Sequence, residues 1–320
     1  MRKAALSAIA ALMDHNESVV FVGSDLGAGT LADVKARHPG RVLMEGIAEQ
    51  HLVGFAAGLA LEGYVPYVHT IGTFLTRRAL EQVIVDVALH NLPVRLVASG
   101  GGMVYAPLGP THQAIDDFAL MRAIPNMIVV APADPIEMAQ VIADLATHPG
   151  PAYIRVAKGS EPDVTSDIPR GSIGGIRPLR AGEGIAVITT GSLLHECIPA
   201  VASAVAEGLN PALVHVPYVA PLDTDFISNM SKSFTTLIVV EEHLPSGGLA
   251  SAIADVVASG DGRARVVRMT LPASYATGYG SQRDHWESSG LTAESMVDKI
   301  QFLSSEDRNG AQTRPSQSPQ

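Results

Sequence analysis

Glu49 and His112 are the two side chains whose types and sequence surroundings point most directly to chemistry. Glu49 lies within residues 44–51 (MEGIAEQH) and is followed by the small, apolar stretch 52–61, and His112 lies within residues 109–113 (GPTHQ). Carboxyl and imidazole groups are the commonest proton-transfer groups of enzymes. The two side chains can therefore act on one substrate if the fold brings their segments together.

An ordinary structural role also explains Glu49. Residues 41–44 are predicted to form a short buried strand and residues 47–61 a helix, because the second stretch is apolar and has Gly54 and Gly58 one turn apart. We expect this helix to pack closely on several sides, with Glu49 in its first turn. The helix dipole favours a carboxylate there, so the segment alone leaves a capping role and a chemical role open.

The rest of the sequence alternates between predicted strands and helices. Apolar, β-branched runs such as 18–23 and 236–240 are separated by longer segments with helical periodicity. This alternation predicts an α/β fold made of two consecutive open, mainly parallel-sheet domains. Ligands of such sheets bind beyond the carboxyl ends of the strands, where the loops 23–29, 45–49 and 99–113 are predicted.

Composition divides the chain into two predicted domains, a linker and a tail. Residues 1–160 hold the first alternating set of elements, residues 161–183 are a predicted linker rich in Gly, Pro and Ser, and residues 184–303 hold the second set. Residues 304–320 are polar and lack periodicity, so they are predicted to be disordered.

Charge and hydropathy exclude several classes of function. The chain of 320 residues has a formal net charge of −10 and its 22 Lys and Arg residues form no basic stripe, so no nucleic-acid partner is expected. No apolar run reaches the roughly 18 residues of a membrane span, and the Ala-rich start is too short for a signal peptide, so we expect a cytoplasmic protein. Cys197, the single cysteine, is expected to be a core residue.

Five segments resemble the transketolase family of thiamine diphosphate enzymes in sequence, order and spacing. They are GIAEQ at 46–50, RALEQ at 78–82, GPTHQ at 109–113, MRAIPNM at 121–127 and AYIR at 152–155. The resemblance covers nearly all of the two predicted domains. It implies that the first is similar to the family's pyrimidine-binding domain and the second to its C-terminal domain, with thiamine diphosphate as the cofactor.

The family's diphosphate-binding domain, which holds Mg²⁺ through a GDG motif and a later asparagine, has no counterpart in this sequence. The GDG at 260–262 lies at the end of the second domain and is predicted to be a turn. The resemblance thus implies the C-terminal subunit of a split transketolase, with no metal site of its own. An N-terminal partner subunit would bring the diphosphate and Mg²⁺ sites, and an α2β2 heterotetramer is expected.

The resemblance also implies roles for individual residues. In the family a glutamate bonds to N1′ of the aminopyrimidine and shifts it to an imino form, whose N4′ takes the thiazolium C2 proton. Glu49 stands at the position of that glutamate. His112 matches a histidine that faces the reacting carbonyl; a loop imidazole satisfied by backbone groups is the alternative. Asp25 and Leu26 match residues near the cofactor, where the leucine holds its bent shape, although Asp25 also suits a helix N-cap.

An aromatic ring stacks on the pyrimidine in this family. A match without gaps places Ile71 at that position, and Phe74 follows three residues later, so both are candidate cofactor contacts. A place in the core is the ordinary explanation of a phenylalanine.

The expected substrate contacts depart from the family pattern. Arg155 matches an arginine that binds the substrate phosphate, with Lys158 nearby, although a surface ion pair also explains Arg155. Three polar family contacts are missing, because Gly100 replaces a histidine, residues 107–108 (Pro-Leu) replace an acidic pair and Gly29 replaces a serine. Each lost polar contact costs about 1–3 kcal/mol. We therefore predict a modified, longer or less polar sugar or oxo substrate rather than the usual pentose phosphate.

Three hypotheses about function follow from the resemblance. The first is transfer of a two-carbon ketol unit between sugar-like substrates. The second is decarboxylation of a 2-oxo acid with acyl transfer, as in 1-deoxyxylulose-5-phosphate synthase or the β subunits of oxo-acid dehydrogenases. The third, a non-catalytic regulatory homologue, is disfavoured because Glu49 and His112 are both present.

Overall fold

The first sheet is built from alternating strands and helices. The computed structural model describes residues 1–26, 29–157 and 161–312, with side chains up to residue 306. The elements of the first domain are α1 (Arg2–His15), β1 (Val19–Gly23), α2 (Ala32–Arg37), β2 (Val42–Met44), α3 (Glu49–Leu61), β3 (Val65–Ile71), α4 (Leu80–Gln82), β4 (Arg95–Ser99), α5 (Asp117–Arg122), β5 (Ile128–Val130), α6 (Pro135–Leu145) and β6 (Ala152–Val156). Two π-helical turns, Phe74–Arg78 and Val83–Ala88, flank α4.

The second domain contains five strands in its own sheet and contributes one strand to the first. Its elements are β7 (Arg177–Arg180), β8 (Ile185–Thr189), α7 (Leu194–Ala206), β9 (Ala212–His215), β10 (Tyr218–Ala220), α8 (Thr224–Ser233), β11 (Thr236–Val240), α9 (Leu249–Ser259), β12 (Arg265–Met269), α10 (Gln282–Ser289) and α11 (Ala293–Gln312). The strand order is β12-β11-β8-β9-β7, and all pairs are parallel except β7 with β9.

The first sheet has the order β10-β5-β6-β4-β3-β1-β2, and only the β10–β5 pair is antiparallel. Every residue of β1, β4 and β6 is buried, as expected for parallel strands covered on both faces. One face packs on α3 and the helical segment around α4, and the other packs on α1 and α6. The prediction of two mainly parallel α/β domains is confirmed.

The two domains are joined by more than the chain between them. Strand β10 follows β9 of the second domain but pairs with β5 of the first. The buried Glu137 carboxylate on α6 contacts His215 Nε2 and Arg177 Nη1 of the second domain, each at 2.8 Å. Arg122 on α5 donates to the carbonyl oxygens of Gly247 and Gly248. These buried and partly buried polar contacts fix the first domain against the second.

Two segments differ from their predicted structure. The predicted linker 161–183 contains β7, which forms because Arg177 is buried against Glu137 and the strand pairs with β9. The tail predicted from Ser304 begins inside α11, which continues to Gln312. Within this helix the Glu306 carboxylate pairs with Arg265 Nη1 at 2.9 Å. None of the helices in the described part of the chain is long and apolar enough to cross a membrane.

Candidate active site

Glu49 is the first residue of α3 and is fully buried. Its Oε1 accepts a hydrogen bond from Thr70 Oγ1 at 3.1 Å, and its Oε2 lies 2.5 Å from Nη1 of Arg78. Both partners lie on other elements, since Thr70 belongs to β3 and Arg78 ends the first π-helical turn. The contacts of this carboxylate therefore reach across the carboxyl edge of the sheet, which a simple helix cap does not require.

A chain of buried hydroxyl groups supports Oε1 of Glu49, the inner of its two carboxylate oxygens. Ser24 Oγ lies 3.0 Å from Thr70 Oγ1 and 3.1 Å from Asp25 Oδ1, and it has one proton to donate to either. Ser24 and Thr70 are 3% and 1% exposed, whereas Asp25 is exposed and Leu26 is half-buried. Helix α2 begins after Leu31, so Asp25 does not serve as its N-cap. The Asp25–Leu26 segment thus lies beside the hydroxyl chain that leads to Glu49.

Phe74 and His112 lie beyond Arg78, on the side of Glu49 that its outer carboxylate oxygen, Oε2, faces. The Arg78 guanidinium carbon lies 4.2 Å from the centroid of the Phe74 ring. The Phe74 ring meets the His112 ring edge-to-face, with centroids 5.2 Å apart. His112 is half-buried in a 3₁₀ turn, and its Nδ1 lies 2.9 Å from Thr111 Oγ1. Glu49, Arg78, Phe74 and His112 therefore form one contiguous group, which we call the Glu49 cluster.

Ile71 lies on the opposite face of the sheet from the Glu49 cluster. Successive residues of a strand point to opposite faces, and its neighbour Thr70 is the one that reaches Glu49. Ile71 instead packs against the apolar cluster formed with α1 and α6. Of the two predicted aromatic-position candidates, the structure brings Phe74 and not Ile71 to the cluster.

Arg155 is held inside the molecule by partners from both domains. It is 7% exposed, and its Nη2 donates to the carbonyl oxygens of Ala114 at 2.8 Å and Glu242 at 2.9 Å. Its Nε lies 3.0 Å from Asp117 Oδ2, so the ion pair expected as an alternative is present but buried. Arg155 reaches the segment two residues after His112 through Ala114. Lys158, the other predicted anion contact, lies outside the described residues.

The loop between β4 and His112 is shaped by tight backbone contacts. Gly100 has φ +89°, and a Cβ added there would lie 2.1 Å from the Tyr105 ring. The conformation and the space both require glycine, so no larger side chain fits under this ring. Leu108 is 53% exposed at the end of the loop, and the Tyr279 ring covers Gly109. Leu108 and the Tyr279 ring therefore contribute apolar surface near His112.

Glu242 of the second domain holds the middle of the same loop. Its Oε1 accepts hydrogen bonds from the Met103 N–H at 2.9 Å and from Trp286 Nε1 at 2.8 Å, and Gln282 Nε2 lies 3.0 Å from both carboxylate oxygens. Burial raises the pKa of Glu242, although Arg155 and the hydrogen bonds oppose this shift. The loop that carries His112 is thus fixed by a buried carboxyl group from the other domain.

One face of α3 is left uncovered within the described residues. A Cβ added at Gly58 would meet no atom within 4 Å, and one added at Gly54 would lie 3.6 Å from Asp86 Oδ2. The expected close packing on several sides is therefore wrong for this face, because no element among the described residues covers it. Large apolar side chains are exposed on α3, just before it and around the second π-helical turn: Ile47, Leu61, Ile84, Val85 and Leu89. We call these residues with Gly54 and Gly58 the α3 surface.

Three residues of this site were not singled out from the sequence. Arg78 lies in the RALEQ segment, and Ser24 and Thr70 lie at the carboxyl ends of β1 and β3. Polar residues at strand ends were the available signal for Ser24 and Thr70. Arg78 gave no such signal, because its approach to Glu49 depends on the π-helical turn.

The described residues offer no other obvious reactive group here. Burial raises the pKa of Cys197 to about 12, so its thiol is not a reactive thiolate. Burial also lowers the pKa of His69 to about 4, and its Nε2 lies 2.9 Å from Ser99 Oγ. No group of three or more His, Cys, Asp or Glu side chains within these residues is placed to hold a metal ion.

Two domain families match consecutive parts of the chain. The domain described as "Transketolase, pyrimidine binding domain" matches residues 1–162. The domain described as "Transketolase, C-terminal domain" matches residues 174–296. The matches coincide with the domain that carries the Glu49 cluster and with the one that holds its loop through Glu242.

Individual relatives show the same similarity at full or half length. An apulose-4-phosphate transketolase subunit of Actinobacillus succinogenes is 34% identical over 290 residues, which cover 91% of this chain and 93% of the relative. 1-deoxy-D-xylulose-5-phosphate synthase 2 of Geobacter sulfurreducens is 36% identical over 305 residues, 93% of this chain but 48% of the synthase. The chain thus spans about half the length of the synthases it matches. A solved structure described as "Split gene transketolase, inactive beta4 tetramer" has a TM-score of 0.86 at 30% identity, covering 94% of this chain and 97% of that one.

Proposed function

This chain belongs to the transketolase family, and from that premise we propose that it is the β, or C-terminal, subunit of a split transketolase that transfers a two-carbon ketol unit between sugar-like substrates. Family membership implies thiamine diphosphate as the cofactor. The observation that supports the proposal most is the fully buried Glu49 carboxylate, held by Thr70 and linked through Arg78 to Phe74 and His112.

The groups of the Glu49 cluster fit the aminopyrimidine end of thiamine diphosphate. When bound, this cofactor supplies the nucleophilic carbon that accepts the ketol unit. Glu49 would share a proton with a ring nitrogen through its outer oxygen, because Thr70 holds the inner one. Phe74 would offer a flat apolar face, and Asp25 and Leu26 would line the side beyond the hydroxyl chain.

His112 is proposed to act on the substrate side of the cluster. Its ring contacts Phe74, so a carbonyl reacting next to a cofactor on Phe74 would lie within its reach. An imidazole there can hold or deliver a proton at the carbonyl oxygen. Glu49 would thus transfer a proton at the cofactor, and His112 would transfer one at the substrate.

We propose a partner subunit that binds Mg²⁺ and the diphosphate and docks on the α3 surface. The exposed apolar side chains and the open glycines of this surface suit close helix packing against another protein. The relative from Actinobacillus succinogenes is one subunit of a transketolase, and the solved split gene transketolase is an inactive tetramer of β chains. These relatives support the need for a partner subunit, and an α2β2 heterotetramer is the active assembly that we propose.

The substrate is proposed to be less polar than a pentose phosphate. The Tyr105 ring fills the space where the family's histidine would stand at Gly100, and exposed Leu108 takes part of the place of the acidic pair. Arg155 is the proposed anion contact together with Lys158, yet its three protein partners leave it only 7% exposed. A modified, longer or less polar sugar or oxo compound suits these side chains.

A second candidate function is decarboxylation of a 2-oxo acid with acyl transfer. The 36% identity to a deoxyxylulose-phosphate synthase favours it, because that relative matches 93% of this chain. The two candidates share the proposed roles of Glu49 and the cofactor. Only the donor separates them, since a ketose donor serves the first reaction and pyruvate serves the second.

Reconstitution with an N-terminal subunit tests the proposal. By calorimetry we expect this chain alone to bind thiamine diphosphate weakly or not at all, and the assembled complex to bind it in a Mg²⁺-dependent manner. Tight, Mg²⁺-dependent binding by the chain alone would contradict the split architecture. A complex that binds the cofactor but turns over neither ketoses nor pyruvate would favour the non-catalytic alternative.

Kinetics with xylulose 5-phosphate and ribose 5-phosphate test the substrate proposal. We expect a kcat/KM below about 10⁴ M⁻¹s⁻¹, the lower end of ordinary enzymes. A higher value would show that the altered side chains at Gly100 and 107–108 do not impair binding of a pentose phosphate.

A further inference from the structure

Arg78 lies between the two groups that the proposed function assigns to the aminopyrimidine. Its Nη1 is 2.5 Å from Glu49 Oε2, and its guanidinium carbon is 4.2 Å from the centroid of the Phe74 ring. The Arg78 side chain is 45% exposed, whereas that of Glu49 is 0% exposed. Solvent therefore reaches the cation but not the carboxylate behind it.

The guanidinium makes the same two contacts that the cofactor ring would make. A guanidinium is planar, stacks on aromatic faces and donates N–H hydrogen bonds to carboxylates. An aminopyrimidine is also planar and would use the face of Phe74 and the outer oxygen of Glu49. Two flat groups cannot occupy the same face and the same oxygen at once. Arg78 and the ring must therefore compete.

The two sides of Glu49 differ in how firmly they are held. On the inner side, Thr70 and Ser24 are almost fully buried and hydrogen-bond to each other, so this support stays in place. On the outer side, the half-exposed Arg78 can leave its partner for water, because exposed ion pairs contribute little net stability. A buried carboxylate without any cationic partner is, by contrast, costly.

We propose that Arg78 is a displaceable counter-ion that stabilises Glu49 in the subunit and must be withdrawn when the cofactor ring binds. This inference rests on the proposed function. Arg78 thereby lowers the affinity for the cofactor, because the Arg78–Glu49 ion pair has to break before the ring can bind. Removing the guanidinium should therefore tighten cofactor binding, although it deletes a polar residue from the site.

The test compares Arg78→Met with the wild type in the reconstituted complex. Methionine keeps an unbranched apolar side chain and removes the charge and the N–H donors. We expect calorimetry with thiamine diphosphate and Mg²⁺ to give a Kd about two- to fivefold lower, the range that corresponds to an exposed ion pair. In the isolated chain, the same variant should melt at a lower temperature, because Glu49 loses its cationic partner.

Arg37→Met is the matched control, since Arg37 is 49% exposed and also pairs with a carboxylate, that of Asp14. Its Kd should equal that of the wild type. An Arg78→Met complex with an unchanged or higher Kd would overturn the inference while leaving the proposed function intact. Loss of cofactor binding in the wild-type complex would overturn both.

If the methionine variant does not assemble, Arg78→Lys is the second variant, because lysine keeps the charge without the planar group. It should bind thiamine diphosphate about twofold tighter than the wild type, and an equal Kd would refute the proposal.

Discussion

Replacing Glu49 with glutamine removes one proton-transfer group from the start of α3 and keeps the shape of the side chain. The amide oxygen can still accept the hydrogen bond that Thr70 now donates to Oε1 at 3.1 Å. The amide nitrogen cannot pass a proton to a ring nitrogen. We therefore expect turnover of the assembled complex to fall by about 10²- to 10⁴-fold, the usual contribution of a positioned acid or base.

The same substitution should change stability only slightly. The ion pair that it breaks has one half-exposed partner, because the Arg78 side chain is 45% exposed, so the loss is discounted to below about 1 kcal/mol. Removing a fully buried charge offsets part of this loss. For domains of this size 1 kcal/mol corresponds to about 2–4 °C in Tm. We expect the Tm of Glu49→Gln to lie within about 4 °C of the wild type.

Exchange of the C2 proton of thiamine diphosphate in the assembled complex is the decisive assay. Rapid mixing into D2O, acid quenching and NMR give the exchange rate without any assumption about the substrate. Glu17→Gln, at an exposed position between α1 and β1, serves as the control for the Glu-to-Gln change. A Glu49→Gln complex that exchanges at the wild-type rate would refute the assigned role, and a collapse in Tm would show that Glu49 is chiefly structural.

Three further predictions concern the residues that support the site. Burial raises the pKa of Glu242, so the folded state holds this proton more tightly than the unfolded state does. The stability of the fold therefore falls as the pH rises from the ordinary carboxyl range through the raised pKa. Between pH 4.5 and 7 the Tm of Glu242→Gln should decline less than that of the wild type, and equal slopes would contradict this. Burial raises the pKa of Glu137, but its contacts with His215 and Arg177 lower it overall. Its contribution to stability is therefore present above the ordinary carboxyl pKa and is lost as the pH falls through the lowered pKa. Because both neighbours are buried, Glu137→Gln should cost about 3–5 kcal/mol in urea unfolding at pH 7, and a cost below about 1 kcal/mol would count against the network. Gly100→Ala should cost about 1–3 kcal/mol, since φ is +89° and the new Cβ would lie 2.1 Å from Tyr105; unchanged urea unfolding would mean that the loop can move aside.

The position of Glu49 at the beginning of α3 was predictable because it depends on local sequence. The apolar stretch after Glu49 and the strand before it place this carboxylate at the beginning of a helix on the carboxyl edge of the sheet, and α3 does begin there. Parallel strands also bring the loop with His112 to the same edge. Both inferences need only periodicity and the general geometry of parallel sheets.

The contacts that connect these residues were not predictable in the same way. Arg78 reaches Glu49 from a π-helical turn, and sequence periodicity does not distinguish such a turn from an ordinary helix. The choice between Ile71 and Phe74 depended on the exact end of β3 and on the face to which each side chain points. Glu242 contacts Met103 across 139 positions of sequence, and only the packing of the two domains brings them together.

Strand β10 limits where this polypeptide can be divided. It leaves the second domain to become the outermost strand of the first sheet, beside Ile128–Val130. Cleavage within the predicted linker would leave β5 as an exposed, β-branched edge strand on the first fragment and would leave β10 on the second. Exposed edge strands of this kind pair with strands of other molecules. Each fragment would need the other to complete its fold. The two domains are therefore expected to be inherited and expressed as one unit, and fragments cut between them should aggregate unless they are coexpressed.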